Sequence, residues 1–356
     1  MKQSGFSVRR WLAMGALAVV GLAGLFGLAE IAVRIFLPQE HLPPDLFVTD
    51  PNLGYRVARN YRGTHVTRDF TVPLATNSLG LRDREYGPPP PGGLRIYFLG
   101  DSFIFGNRVP LEQTVTKVLE RALQQRLGPR PVEVVNGGMP GYSTIQELTF
   151  FDETVGLIRP DVVLLGMCVG NDMWDNLVYS TRNPGDSGGG GAWRGGGGGL
   201  RAKATLLLKH SDLYLLIRRT FNQTFRGAEV EDREADRPPS MIDPALRLTE
   251  DAVLGFAKAT RARGMRFVVL LIPVTERVIP ATTQRELNQR FMEFAKREGI
   301  DVVDLMPLFQ AHAQDGLYYT VHWTPRGHAL VAGAVADLLL HDGALGTPSA
   351  MAAKAE

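Results

Sequence analysis

Ser102 and His322 are the residues of this 356-residue chain whose types and settings best suit nucleophilic catalysis. A serine hydroxyl is a weak nucleophile until a neighbouring base takes its proton, and an imidazole within hydrogen-bond reach is the usual base. Ser102 closes Gly100-Asp101-Ser102, which follows the apolar run Arg95–Leu99. A glycine at the end of a strand permits a sharp bend into a helix and leaves the next side chains at the strand's carboxyl end, where open α/β sheets collect ligands. The tripeptide alone reads equally well as a turn whose serine caps a helix. Three further blocks stand in similar settings: Asn136-Gly-Gly138-Met-Pro-Gly141-Tyr-Ser, Gly170-Asn171-Asp172, and His322-Trp-Thr-Pro-Arg-Gly-His328.

The elements that must position these blocks alternate in character. After Leu94, β-like runs at Arg95–Leu99, Val132–Asn136, Asp161–Gly166, Arg266–Ile272 and Asp301–Leu305 are separated by amphipathic stretches at Thr114–Leu127, Thr144–Leu157, Leu248–Arg263, Thr283–Glu298 and Pro325–Leu340. This is the rhythm of βαβ units around a buried parallel sheet. A glycine-rich insertion at 183–199 interrupts it and reads as a surface loop. Leu200–Phe225 then predicts a helix with an apolar stripe, more in keeping with packing than with a substrate groove. The divisions expected are a short N-terminus at 1–10, a membrane segment at 11–36, an extended lead-in and linker at 37–93, one domain at 94–342 and a frayed tail at 343–356.

Taken together and in this order, the four blocks resemble the SGNH branch of the GDSL hydrolases, over Leu94–Leu340 apart from the insertion. The resemblance implies an α/β fold, a three-layer α/β/α flavodoxin-like (SGNH) domain with a parallel sheet. It also implies Ser102 as nucleophile, His322 as base, and an oxyanion hole from Ser102, Gly141 and Asn171, with Gly138 the weaker match to the glycine. Donors fixed where charge develops are worth roughly 3–4 kcal/mol each, and a glycine N–H and an asparagine amide suit that task. Gly141 also reads as a turn glycine and Asn171-Asp172 as an Asx turn. His328 falls at the start of the closing helix and reads as packing. In the family pattern an aspartate two or three residues before the base orients it, but Tyr319 and Thr320 stand there. Asp315 folding back, Thr320 itself or a backbone carbonyl are the available substitutes, and a Ser–His dyad is the reading adopted. Thr76-Asn-Ser-Leu-Gly-Leu-Arg82-Asp83 resembles the lead-in of membrane-anchored bacterial members and reads as cover for the sheet.

Trp11–Ala29 carries no charge and is long enough, at about 1.5 Å per residue, to cross a bilayer core of roughly 30 Å. Lys2, Arg9 and Arg10 precede it, which predicts an inner-membrane, single-pass protein with its catalytic domain periplasmic or extracellular. Gly27-Leu28-Ala29 leaves a cleaved signal as the alternative. A net charge of +2 and 44% apolar content give no electrostatic reason for a nucleic-acid partner. The lone Cys168 forms no internal disulfide and reads as packing. No metal is expected, since His322 and His328 lack helical His-x-x-x-His spacing and an acidic cluster, and no cofactor is called for, since no phosphate cradle with lysine occurs. The expected activity is hydrolysis of an ester, of an O-acylated (O-acetyl) glycan or a small ester. The alternatives are an O-acyltransferase of envelope polysaccharide and a catalytically silent glycan-binding scaffold.

Overall fold

The computed structural model describes residues 4–37, 39, 43–66, 71–181, 211–225, 239–276 and 278–341. The glycine-rich insertion 183–199 and the tail 343–356 lie outside the described residues, as do residues 200–210 of the helix predicted after the insertion. The chain divides into two units, one comprising Met1–Leu42, Val66–Thr71 and Gly198–Val230, the other Pro43–His65, Val72–Gly197 and Glu231–Glu356.

The larger unit is built on five parallel strands: β5 (Leu94–Gly100), β6 (Val132–Gly138), β7 (Val162–Met167), β8 (Arg266–Leu271) and β9 (Asp301–Asp304), in the order β6-β5-β7-β8-β9. Every residue of β5 and β7 is buried, as expected of strands covered on both faces. One face carries α3 (Val115–Leu127), α9 (Met306–Ala311) and α10 (Pro325–His341), whose Val115, Leu119, Phe309, Val331 and Val335 join Ile96, Phe98 and Val268 in one core. On the other face α4 (Thr144–Ile158) and α7 (Ile242–Arg261) bring Phe151 and Phe256 to 5.3 Å, with Phe151 6.5 Å from Tyr97 and Phe256 5.6 Å from Phe267. Helix α8 (Ala281–Glu298) completes the set. This is the expected α/β architecture, and its strand order reverses direction at β5 and β7, where doubly wound sheets open a crevice.

Two short helices fall at that crevice; the bend at Gly100 anticipated the first, and the second was not predicted. Helix α2 (Ser102–Phe105) follows β5 and α5 (Val169–Ser180) follows β7. Segment 37–93, whose Pro- and Arg-rich sequence suggested an extended linker, holds two antiparallel ladders, β1 (Phe47–Asp50) with β2 (Gly54–Val57) and β3 (Arg62–Val66) with β4 (Thr71–Ala75). Leu46, Leu53 and Leu81 are wholly buried, and residues 43–65 and 72–93 of this segment belong to the larger unit.

In the smaller unit, α1 (Ser4–Phe36) includes a 27-residue stretch from Arg10 to Phe36 that is long and apolar enough to cross a membrane. Helix α6 (Asp212–Phe225) begins where the Glu30 carboxylate of α1 accepts the Asp212 and Leu213 N–H groups, both at 3.0 Å.

Candidate active site

Gly100 makes the bend that presents Ser102. Its φ of 154° is open to glycine, and a Cβ there would meet Ile104 Cγ1 at 2.3 Å and the Gly166 carbonyl at 2.8 Å. Asp101 caps α2 by accepting the Phe103 N–H at 2.8 Å, which leaves Ser102 as the first helical residue. Its Oγ lies 2.8 Å from His322 Nε2. Serine and base, predicted from separate blocks, are brought together.

His322 sits in the turn after α9, tied by the Tyr319 N–H to its own carbonyl (2.9 Å) and by the bridge between Tyr318 and Trp323. Trp323 is fully buried against Phe103 (5.0 Å), Phe309 (5.7 Å) and His328 (5.4 Å), and the His322 ring lies 5.3 Å from Phe103. This aromatic packing fixes the turn that carries the imidazole. Burial, followed by the charges of Arg108 and His65, pushes the imidazolium down to about 3, so the ring is neutral and able to take a proton from Ser102. Its Nδ1 is buried with no hydrogen-bond partner among the described residues. Neither Asp315, Thr320 nor a carbonyl orients it, and the Thr320 carbonyl accepts instead from Thr275 Oγ1 at 3.4 Å.

The oxyanion candidates fall on the turn after β6 and on the first turn of α5. Met139-Pro-Gly141-Tyr142 is a turn closed by the Tyr142 N–H on the Met139 carbonyl (3.2 Å), with proline second and Gly141 third at φ 76°. Gly138 is the poorer donor, because its N–H is spent on Asn136 Oδ1 at 3.0 Å. Asn171 lies in the first turn of α5, where its Nδ2 donates to Asp175 Oδ2 at 3.0 Å. An amide nitrogen has two hydrogens, so this bond leaves one to point elsewhere. His328 has the structural role its position suggested: Nδ1 accepts the Val115 N–H at 3.1 Å and so caps α3, whose Thr114 makes no side-chain cap. Burial holds that ring neutral as well, down to about 3. Cys168 is buried and unbridged at the start of α5.

Several supporting residues were not legible as such. Arg82, 1% exposed, donates to the carbonyls of Phe105 (3.0 Å), Gly106 (2.5 Å) and Val109 (2.7 Å), capping the helix that starts with Ser102. Tyr55 donates to the Pro140 carbonyl at 2.6 Å and accepts, through its own carbonyl, from Tyr142 Oη at 2.7 Å, fixing the Gly141 turn. Arg108 holds φ 71°, a left-handed conformation costly for a residue with a side chain. Behind the site, Asp101, Glu147 and Asp172 are buried, and burial followed by repulsion from nearby carboxylates, Asp175 acting on all three, raises their carboxyls, Asp101 to about 7. Among the described residues no group of three or more histidines, cysteines and acids is arranged to hold a metal.

The model of the GDSL-like Lipase/Acylhydrolase family matches residues 98–330, more than half of the chain and all four blocks. Solved structures to which the chain is similar include an acetylxylan esterase from Geobacillus stearothermophilus, 15% identical with a TM-score of 0.42 over 72% of this chain and 97% of that one. Another is an alpha/beta hydrolase enzyme from the metagenome of Lake Arreo, Spain, 14% identical with a TM-score of 0.42 over 71% and 97%. No curated protein matches the sequence. With its five-stranded parallel sheet and its match across both halves of that sheet, the chain belongs to the GDSL-like lipase/acylhydrolase family and is an ester-hydrolysing enzyme.

Proposed function

We propose that the chain is a membrane-anchored serine esterase working through a Ser102–His322 dyad on an O-acylated glycan or a small ester outside the inner membrane. The observation that carries this reading is the 2.8 Å contact between Ser102 Oγ and His322 Nε2. Ser102 Oγ attacks the ester carbonyl as its proton passes to Nε2. The carbonyl oxygen becomes an oxyanion, served by the N–H groups of Ser102 and Gly141 and by the Asn171 amide. Collapse expels the alcohol, which takes the proton from Nε2, and water repeats the sequence on the acyl-enzyme.

The imidazolium formed in this step is disfavoured in the free enzyme. Because it arises only alongside the oxyanion, the paired opposite charge offsets much of that cost, which places the stabilisation in the transition state and not in the bound substrate. The choice of substrate follows from an anchor whose cations precede it and from the family's chemistry.

A fluorophosphonate probe tests the reading on the full chain in detergent. Labelling of wild type and not of Ser102→Ala, together with release of acetate from acetylated xylo-oligosaccharides or of a small acyl ester's acid, is the expected result. A folded protein that takes no label supports a silent scaffold, and acyl transfer to added glycan that outruns hydrolysis supports a transferase.

A further inference from the structure

We infer that α6 lies in the membrane–water interface beside the end of α1 and that its partner is the lipid bilayer itself. The inference rests on the anchoring role proposed for α1.

Glu30 interrupts the apolar helix α1, and a carboxylate within an apolar span is costly unless its lone pairs are satisfied. Here they are satisfied by α6. Glu30 Oε2 accepts the Ser211 hydroxyl at 2.7 Å and the Leu213 N–H at 3.0 Å, and Oε1 accepts the Asp212 N–H at 3.0 Å and Arg34 Nε at 2.7 Å. The first N–H groups of α6, which no carbonyl of its own helix can serve, are thereby capped by a charge from another element. The joint has a second bond, from the Gln39 N–H to Asp212 Oδ2 at 3.0 Å, and Ser211 Oγ closes it by accepting the Tyr214 N–H at 3.0 Å.

The position of this joint sets the depth of α6. At about 1.5 Å per residue, the helix from Arg10 to Glu30 rises roughly 30 Å, the thickness of a bilayer's hydrocarbon core. With the cations of Arg9 and Arg10 at one face, Glu30 falls at the opposite boundary, and so does the start of α6. From there α6 carries Ile217 and Phe221 one turn apart, 55% and 50% exposed. Residues spaced by four lie on one helix face. In α1, Leu28, Ile31 and Ile35, close in sequence to Glu30, are also exposed. Arg218 and Arg219 in the same helix give it the mixed apolar and basic sequence of helices that lie along headgroups.

The test uses the full chain, with Cys168→Ser, reconstituted in vesicles of phosphatidylethanolamine and phosphatidylglycerol. A polarity-sensitive fluorophore is attached at Ile217→Cys, or at Val20→Cys within α1, and lipids brominated near the headgroup or near the acyl terminus serve as quenchers. The expected result is a blue-shifted Ile217 signal quenched best by shallow bromine, with the Val20 signal quenched best by deep bromine. Deep quenching at Val20 with a water-like, unquenched signal at Ile217 overturns the placement of α6 while leaving the anchor intact. A blue-shifted Ile217 signal that no lipid quenches overturns it in favour of a protein partner, such as a second copy. An unquenched Val20 signal overturns the anchor, and the inference with it.

Discussion

Ser102 Oγ and His322 Nε2 stand 2.8 Å apart although 220 residues of chain separate them. Two groups that act as one unit lose activity as one unit. Ser102→Ala and His322→Ala are each expected to lower kcat by roughly 10⁴-fold or more, and the double variant is expected to be no worse than either single one. Steady-state hydrolysis of a chromogenic ester measures this, and additive losses would show that the two side chains work separately.

The acid limb of kcat/KM reports the base of the free enzyme. With the His322 imidazolium pushed down to about 3, activity is expected to persist well below pH 6.5, where an ordinary histidine is half protonated. Arg108 contributes to that depression, so Arg108→Gln should move the limb upward. A limb unchanged by the substitution, or lying near pH 6.5 in wild type, would contradict the cationic surroundings described for the ring.

Thr320 is exposed and stands two residues before His322, whose Nδ1 has no hydrogen-bond partner among the described residues. Thr320→Asp should supply an orienting carboxylate, raising kcat by about tenfold or more and shifting the acid limb upward, since removing such a group from a serine-protease triad costs about 10⁴. Unchanged kcat with an unchanged limb would mean that the turn cannot bring a carboxylate to Nδ1.

Asp175 holds the Asn171 amide at 3.0 Å and is therefore a positioning residue. Asn171→Ala should reduce kcat by roughly 10²–10³ with little change in KM, because an oxyanion donor acts in the transition state. Asp175→Ala should reduce kcat in the same way, and adding it to Asn171→Ala should cost little more. A rise in KM alone would assign Asp175 to substrate binding.

Stability should depend on pH through two opposed sets of buried groups. His322 and His328, both pushed down to about 3, are protonated more readily in the unfolded chain, so between roughly pH 3 and 6.5 they make stability rise with pH. Asp101, Glu147 and Asp172, pushed up, bind protons more tightly when folded, so they make stability fall as pH rises above the ordinary carboxylate range. Both oxygens of Glu147 lack a hydrogen-bond partner among the described residues. Glu147→Gln is therefore expected to raise Tm, and to raise it more at pH 8 than at pH 5. A gain independent of pH would mean that Glu147 keeps an ordinary carboxyl.

The alternation of apolar runs and amphipathic stretches made the sheet and its larger helices readable, because parallel strands buried on both faces need continuous apolar sequence. Helix α3 at Val115–Leu127 and α4 at Thr144–Ile158 lie within one residue of expectation. Ser102 was legible because it ends a block at a strand's carboxyl side, and His322 because it heads the last of the four blocks that together resemble the family. Helix α5 was not, since Gly170-Asn171 suggested a loop, whereas the buried Met173, Trp174 and Asn176 form a helix by packing. The structure of segment 37–93 was hidden for a different reason. Beside its buried leucines it is held by single polar anchors, Arg82 on three carbonyls and Asp83 on the Asn136 N–H at 2.9 Å, and no hydrophobic period announces such contacts.

The guanidinium of Arg82 has a consequence for where the chain can be cut without loss of activity. It reaches from a stretch that precedes the polyproline run and ends on the carbonyls of the short helix that begins at Ser102 and of Val109. A protease cutting at Pro88–Pro91 would detach the wedge that keeps the serine's helix in shape, and would release inactive material. A soluble, still active fragment is therefore expected only from a cut upstream of Leu46.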